Sequence, residues 1–331
     1  MNSTTTTQTH TAPPAPAAPP APAPPAPQLT TTVPKEYVHR ASLAEVFLTG
    51  CETRDGLTFS LTGQWPRAHT LFTTPDGISH DPLLAAETFR QAGMYISHTE
   101  LGVPLGHHFM MWNLSYTTHL PHLRIASHPT HFNLHLKCTN LTRRKTTTTR
   151  AHMEMTIHRD NNLLAHGAID YSTITPTAYT RLRANQPHTP PHPTPRNPLP
   201  PHTVGRTHPT DVLLTPTTHP HRYQLTPDTN HPIYFDHTND HIPGMVLLEA
   251  ARQAATHHHT PHTLTPTNAT THFHHYAEHH HPCYIDITHT EPETNNTTTT
   301  HIHAHQNHQT IFTTTITGPT TPPPTHQAAL R

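Results

Sequence analysis

One pattern occurs twice in this chain of 331 residues and limits its fold more than any other feature. Pro82-Leu83-Leu84-Ala85-Ala86-Glu87-Thr88-Phe89-Arg90-Gln91-Ala92 is echoed by Pro243-Gly244-Met245-Val246-Leu247-Leu248-Glu249-Ala250-Ala251-Arg252-Gln253-Ala254. The offset is 162 residues from Glu87 to Glu249, from Arg90 to Arg252 and from Gln91 to Gln253. Glu, Arg and Gln at i, i+3 and i+4 share one stripe of a helix. Around them the residues are small or aliphatic on nearly every side, which predicts a buried helix in each copy. A carboxylate and a guanidinium in that setting cost free energy unless they satisfy each other or meet a ligand. For one such helix a structural ion pair and a functional site are equal readings; the repetition points to an internal duplication. Pro243 suits a helical first turn, and Gly244 lets other groups approach the backbone closely.

The first helix is expected over about Pro82 to His98, preceded by a strand over Phe59–Trp65. Strand character follows over Phe109–Thr117, Phe132–Leu141, Ala151–His158 and Leu164–Ile174, with a hairpin turn at Asp160-Asn161-Asn162. Around the second helix, strands are expected over Asp211–Leu214, Tyr223–Leu225, Phe273–Glu278, Cys283–Thr288, Thr300–Gln306 and Ile311–Thr317. Asn307-His308 sits where a hairpin prefers Asn-Gly or Asp-Gly. One buried helix with antiparallel strands, twice over, predicts an α+β double hotdog, each unit a central helix wrapped by an antiparallel sheet. The expected boundaries are a disordered Thr/Ala/Pro-rich tail over 1–32, a first unit over 33–183, a Pro/His-rich linker over 184–203, a second unit over 204–317 and a flexible tail over 318–331.

A net charge of −1 with His neutral argues against nucleic acid or a membrane surface as partner. Cys51, Cys138 and Cys283 are far apart and form no CxxC pair, so reduced thiols in a cytoplasmic protein are expected, with Cys51 and Cys138 as small hydrophobes and no covalent nucleophile. No run of 18 apolar residues occurs, and the first ten residues are polar, unlike a signal peptide. The 40 histidines are scattered among Thr, Pro and Asn. His301, His303 and His305 share one face of a strand, but no metal site and no cofactor are expected, because metal chemistry needs a specific ligand geometry.

Two resemblances follow from longer motifs. His231-Pro232-Ile233-Tyr234-Phe235-Asp236-His237 followed by Asp240-His241-Ile242-Pro243-Gly244 resembles the hotdog β-hydroxyacyl-carrier-protein dehydratases, which places His237 and Glu249 on the catalytic His and acidic positions of that family; Asp236 replaces its glycine. The chain more closely resembles the A-factor biosynthesis hotdog family, the γ-butyrolactone autoregulator synthases. The motifs are Val38-His39-Arg40-Ala41-Ser42-Leu43-Ala44-Glu45-Val46-Phe47-Leu48-Thr49, Gln64-Trp65-Pro66-Arg67-Ala68-His69, His80-Asp81-Pro82-Leu83-Leu84, Val103-Pro104-Leu105-Gly106-His107, Val204-Gly205-Arg206 and the two helix motifs. The resemblance covers about residues 33–317 and implies transfer of a β-ketoacyl group from acyl carrier protein to the hydroxyl of dihydroxyacetone phosphate. The alternatives are a hotdog dehydratase or thioesterase acting on carrier-bound acyl chains, or a non-catalytic regulatory paralogue. A homodimer is compatible with the sequence.

Acyl transfer needs a polarised thioester carbonyl, a base for the hydroxyl and a place for the phosphate. Backbone N–H groups at Gly244-Met245 can face the carbonyl oxygen, helped by the helix dipole. Glu249 is expected to act as a base if apolar surroundings raise its pKa, with Arg252 holding it or clamping phosphate. Glu87, Arg90 and Gln91 form the matching set, His237 orients the acyl chain or shuttles a proton, and Gln253 and His69 complete the candidate binding residues; Asp81 is a further pocket or turn residue. The Arg143-Arg144-Lys145 run reads as a carrier-protein docking patch or as a solvated hairpin.

Overall fold

The computed structural model describes residues 31–186, 197–294 and 296–322. Residues 1–30 of the tail expected over 1–32, residues 187–196 of the linker and residues 323–331 lie outside the described residues. Order is present at Val33, which is buried and donates its N–H to the Leu48 carbonyl at 3.0 Å.

Two helices form the axes of the molecule. Helix α1 spans Leu83–Thr99, and α3 spans Gly244–His258. Between them lies the short α2, Pro176–Leu182, started by Thr175, whose hydroxyl accepts from the Ala178 N–H at 3.2 Å. The first half supplies strands β1 (Leu48–Arg54), β2 (Thr58–Trp65), β3 (His108–Thr118), β4 (Thr130–Arg144), β5 (Thr147–Arg159) and β6 (Asn162–Ile174). The second supplies β7 (Leu214–Pro216), β8 (Arg222–Leu225), β9 (Thr263–Leu264), β10 (Asn268–Phe273), β11 (Tyr284–Pro292), β12 (Thr297–Gln306) and β13 (Gln309–Thr321). All the strand pairs are antiparallel, and they join in one sheet with the order β1-β2-β4-β5-β6-β3-β10-β13-β12-β11-β8-β7, β9 pairing with β13. The β3–β10 ladder, with Thr117 opposite Asn268 and Asn113 opposite His272, makes the sheet continuous across the two halves.

Alternation decides which face of each strand meets its helix. In β5, Ala151, Met153, Met155 and Ile157 are buried and turn toward α1, while Glu154 is exposed. The same logic fails where the strand is rich in threonine. The strand expected over Phe273–Glu278 lies earlier, at Asn268–Phe273, because β-branched Thr270 and Thr271 fit a pleated surface as well as aliphatic residues do. After Phe273 the chain leaves the ladder: His274 and His275 both donate N–H groups to the Ile311 carbonyl, at 2.8 and 3.2 Å. Asp211 closes a 3-10 turn rather than starting a strand, and Gly318–Thr321 continue β13. Leu199 is buried, its N–H donating to the Leu214 carbonyl at 2.9 Å, so the described end of the linker is packed. Among the described residues no helix is long and apolar enough to cross a membrane.

Candidate active site

Each central helix carries its Glu-Arg-Gln stripe into a cluster around a fully buried glutamate, and the two clusters are built alike. Glu87 accepts hydrogen bonds from Arg90 Nε (2.8 Å) and Nη2 (2.7 Å) and from Gln91 Nε2 (2.8 Å). It also accepts from Arg40 Nε (3.1 Å) and Nη2 (2.6 Å). Glu249 accepts from Arg252 Nε (2.6 Å) and Nη2 (2.8 Å), Gln253 Nε2 (2.6 Å), and Arg206 Nε (2.8 Å) and Nη2 (2.7 Å). The two glutamines repeat the same scaffold bonds: Gln91 ties the Phe47 N–H to the Glu45 carbonyl, and Gln253 ties the Leu213 N–H to the Asp211 carbonyl. His69 and His231 match as well, each accepting two backbone N–H groups at Nδ1 and facing an acid, Glu45 and Asp211, through Nε2.

Arg40 and Arg206 were not singled out by the sequence reasoning, although each completes its cluster. The signal was the recurrence of Val38-x-Arg40 as Val204-x-Arg206; Arg90 and Arg252 donate to the carbonyls of those two valines. Each added arginine also crosses to the other half. Arg40 reaches the Ile233 carbonyl at 3.4 Å, and Arg206 the Leu71 carbonyl at 2.5 Å.

The expectation that apolar surroundings raise the Glu249 pKa is corrected by this geometry. Burial does push the carboxyl up, but Arg206 and Arg252 outweigh it and hold Glu249 at about 2. Burial, Arg40 and Arg90 act in the same way on Glu87, also held at about 2. Both acids are ionised at neutral pH with most of their lone pairs engaged. Their oxygens are committed to these donors instead of being open to a substrate proton.

The duplicated frame is used unequally. A cavity of about 1230 Å³ opens beside the Glu87 cluster, whereas the equivalent space beside the Glu249 cluster is a polar pocket of about 180 Å³ bordered by His69, Thr70, Gly205 and Arg206. Two positions of the repeat differ beside these spaces. At the start of α1, Asp81 accepts the Leu83 N–H at 2.9 Å and meets Arg206 at 3.2 Å, so the helix start is occupied. The position 162 residues on is Pro243, which has no side-chain cap to offer, and the α3 start borders the large cavity through Pro243, Gly244 and Met245. The second change is at the residue before the crossing arginine. Both halves place it in the left-handed region, His39 at φ 52° and Gly205 at φ 69°. A side chain on Gly205 would put its Cβ 3.2 Å from Arg252 Nη1; in the other half an imidazole occupies the slot and borders the cavity.

Of the candidates read from the sequence, Glu87, Arg90, His237 and Gly244 border this cavity; Glu249, Arg252, Gln91, Gln253 and His69 do not. Arg90 commits Nε and Nη2 to Glu87 and Val38, while Nη1 meets only the Met94 sulfur at 3.1 Å. His237 is half-exposed, its Nδ1 2.6 Å from Asp236, which also accepts the Ala41 N–H at 2.9 Å. The rest of the wall is largely apolar: Phe109, Met111, Trp112, Ile169, Ile174, Leu182, Ile233, Leu247 and Phe273. Burial pushes the Cys138 and Cys283 thiols up to about 12, and all three cysteines are free. Among the described residues no cluster of three or more His, Cys, Asp or Glu side chains has metal-binding geometry; His303 bonds Thr310, and His305 faces Asp286.

Comparison with known proteins sets this site in context. The A-factor biosynthesis hotdog domain matches residues 22–175 and again 188–322. A protein of Streptomyces virginiae named 2-oxo-3-(phosphooxy)propyl 3-oxoalkanoate synthase is 42% identical over 258 residues, 78% of this chain and 87% of its own. A protein of Streptomyces coelicolor with the same name is 36% identical over 268 residues, 79% of this chain and 83% of its own. Among solved structures, the 12:0-ACP thioesterase of Umbellularia californica superposes with a TM-score of 0.46 at 8% identity, covering 82% of this chain and 100% of the other.

Proposed function

The chain belongs to the A-factor biosynthesis hotdog family, and on that premise we propose that it is an acyltransferase with a single composite site, moving a 3-oxoacyl group from acyl carrier protein to the hydroxyl of dihydroxyacetone phosphate. The product of that reaction is the 2-oxo-3-(phosphooxy)propyl 3-oxoalkanoate for which the Streptomyces relatives are named. The observation that carries the reading is the meeting, in one largely apolar cavity, of a guanidinium whose Nη1 has no oxygen partner, only the Met94 sulfur, and a helix start with no side-chain cap.

Each part of the substrate pair has a counterpart in that cavity. The apolar wall takes the acyl chain. The N–H groups of Gly244 and Met245 precede the first intrahelical bonds, which Val246 and Leu247 make to the Pro243 carbonyl, so they are free to face the thioester oxygen as charge builds on it. Arg90, held rigidly by Glu87, presents Nη1 to the acceptor phosphate. Glu87 thus serves by aiming Arg90 and Arg40. His237 stands at the half-exposed rim, oriented by Asp236, where it positions the acyl thioester. Arg143, Arg144 and Lys145 are exposed and lead into Thr146 and Thr147, whose backbone lies beside Gly102, just before the Gly106–His107 edge of the cavity; that basic run suits the acidic surface of a carrier protein. Glu249, Arg252, Gln253 and Gln91 act as scaffold.

The test is incubation of the protein with 3-oxoacyl carrier protein and dihydroxyacetone phosphate, with mass detection of the ester. Ester that appears only when the acceptor is present supports the transferase. Free 3-oxo acid released at the same rate without acceptor makes the protein a thioesterase instead.

A further inference from the structure

With both buried glutamates committed to arginine, the cavity still needs a group that accepts the hydroxyl proton. The candidate is the imidazole in the left-handed slot. His39 Nε2 lies 2.9 Å from His98 Nε2, and His98 Nδ1 lies 2.8 Å from the Val103 carbonyl. A carbonyl only accepts, so His98 carries its proton on Nδ1. Both rings are neutral at pH 7, because burial lowers the pKa of each, that of His39 to about 3. His98 Nε2 is therefore a lone pair, His39 must donate to it from Nε2, and the His39 proton cannot also sit on Nδ1. Among the described residues that nitrogen has no hydrogen-bond partner; it is not sealed in the interior, and it belongs to a residue bordering the cavity. The His39 ring is also braced edge-on by Phe109, with centroids 5.4 Å apart.

The repeat supplies an independent argument. A left-handed conformation is unfavourable for any residue with a Cβ, and the sister position uses glycine. The chain keeps a left-handed histidine beside the Glu87 cluster, where the large cavity opens, and a glycine beside the Glu249 cluster, where the small pocket lies.

We infer that His39 is the general base of the transfer and His98 its positioning residue, an assignment that rests on the acyltransferase reading. His39 Nδ1 takes the proton from the acceptor hydroxyl as its oxygen bonds to the thioester carbon. The carbon–sulfur bond then breaks, and the imidazolium returns that proton to the departing thiolate, so ester and thiol leave and the ring is neutral again. Arg90 is among the groups that depress His39; a phosphate on Arg90 offsets that charge and makes Nδ1 more basic once the acceptor is bound.

The experiment uses the full chain, a 3-oxoacyl thioester of N-acetylcysteamine and dihydroxyacetone phosphate. In His39→Gly, kcat is expected to fall about 10²–10⁴-fold with KM little changed. Its melting temperature stays at or above the wild-type value, since glycine suits the slot, and added imidazole restores turnover. His98→Phe is expected to lower kcat with KM unchanged and to add nothing to the loss in His39→Gly, as groups acting in one chain behave. A His39→Gly protein with wild-type kcat overturns the assignment, as does imidazole rescue confined to His237→Ala. Wild-type protein that forms no ester removes the acyltransferase reading and the base together.

Discussion

A buried carboxylate between two guanidiniums can be read as catalytic or as structural, and the surroundings of Glu87 and Glu249 separate these roles. Glu249 has five donors and does not border the large cavity. Glu249→Ala therefore removes the carboxylate that Arg206 and Arg252 share in the interior, and the expected cost is about 3–5 kcal/mol, read as a lowered denaturant midpoint. Loss of product in that variant follows unfolding and says nothing of chemistry. Arg90→Leu is different: Arg90 borders the cavity and its Nη1 meets only the Met94 sulfur, so the expected result is a raised KM for dihydroxyacetone phosphate and little change for the acyl thioester, checked by steady-state kinetics at varied acceptor. The charged stripe was legible in the sequence because i, i+3, i+4 spacing forces Glu, Arg and Gln together. Arg40 and Arg206 were not, since they lie 47 and 43 positions before their glutamates and only the fold brings them near.

The elements tell a similar story about local signals. The two buried helices and the alternating β5 were readable from periodicity, and Asp160-Asn161 forms the expected tight turn with both residues at positive φ, 49° and 64°. The short α2 was missed because seven residues hold barely two turns and its Thr175-Pro176 start was the only cue. At the β12–β13 turn, Asn307 (φ 50°) and His308 (φ 63°) both take the left-handed conformation. His308 has no need of its side chain there, so His308→Gly is expected to stabilise by about 1 kcal/mol, seen as a slightly raised melting temperature. The start of α3 gives a sharper test. Pro243→Asp restores at the second helix the carboxylate that Asp81 supplies at the first, and an Asp N-cap is worth about 1 kcal/mol. Stability should hold or rise while transfer falls at least about tenfold, roughly 1.4 kcal/mol, because the carboxylate competes for the N–H groups that we propose face the thioester oxygen. Unchanged turnover would show that the helix start does not touch the reacting carbonyl.

At the scale of the whole molecule, duplication has produced two matching frames and one usable cavity. The sequence carried the repeat but not the asymmetry, since Asp81 against Pro243 and His39 against Gly205 gain meaning only when the halves are superposed in space. The β3–β10 ladder and the crossing arginines bind the halves together, and the two buried acids tie that union to pH. Their folded pKa values lie below the ordinary 4.5, so their contribution is complete above about 4.5 and is lost as pH falls toward 2. A steep loss of stability across that window, relieved for one acid in Glu249→Gln at the price of lower stability at neutral pH, is the expected pattern in acid titration followed by circular dichroism. The claim that one composite site, and not two, serves the chain is tested most directly by calorimetric titration of the protein with dihydroxyacetone phosphate. The account predicts one binding site per chain, weakened in Arg90→Leu; two equal sites per chain, or binding unaffected by that substitution, would contradict it.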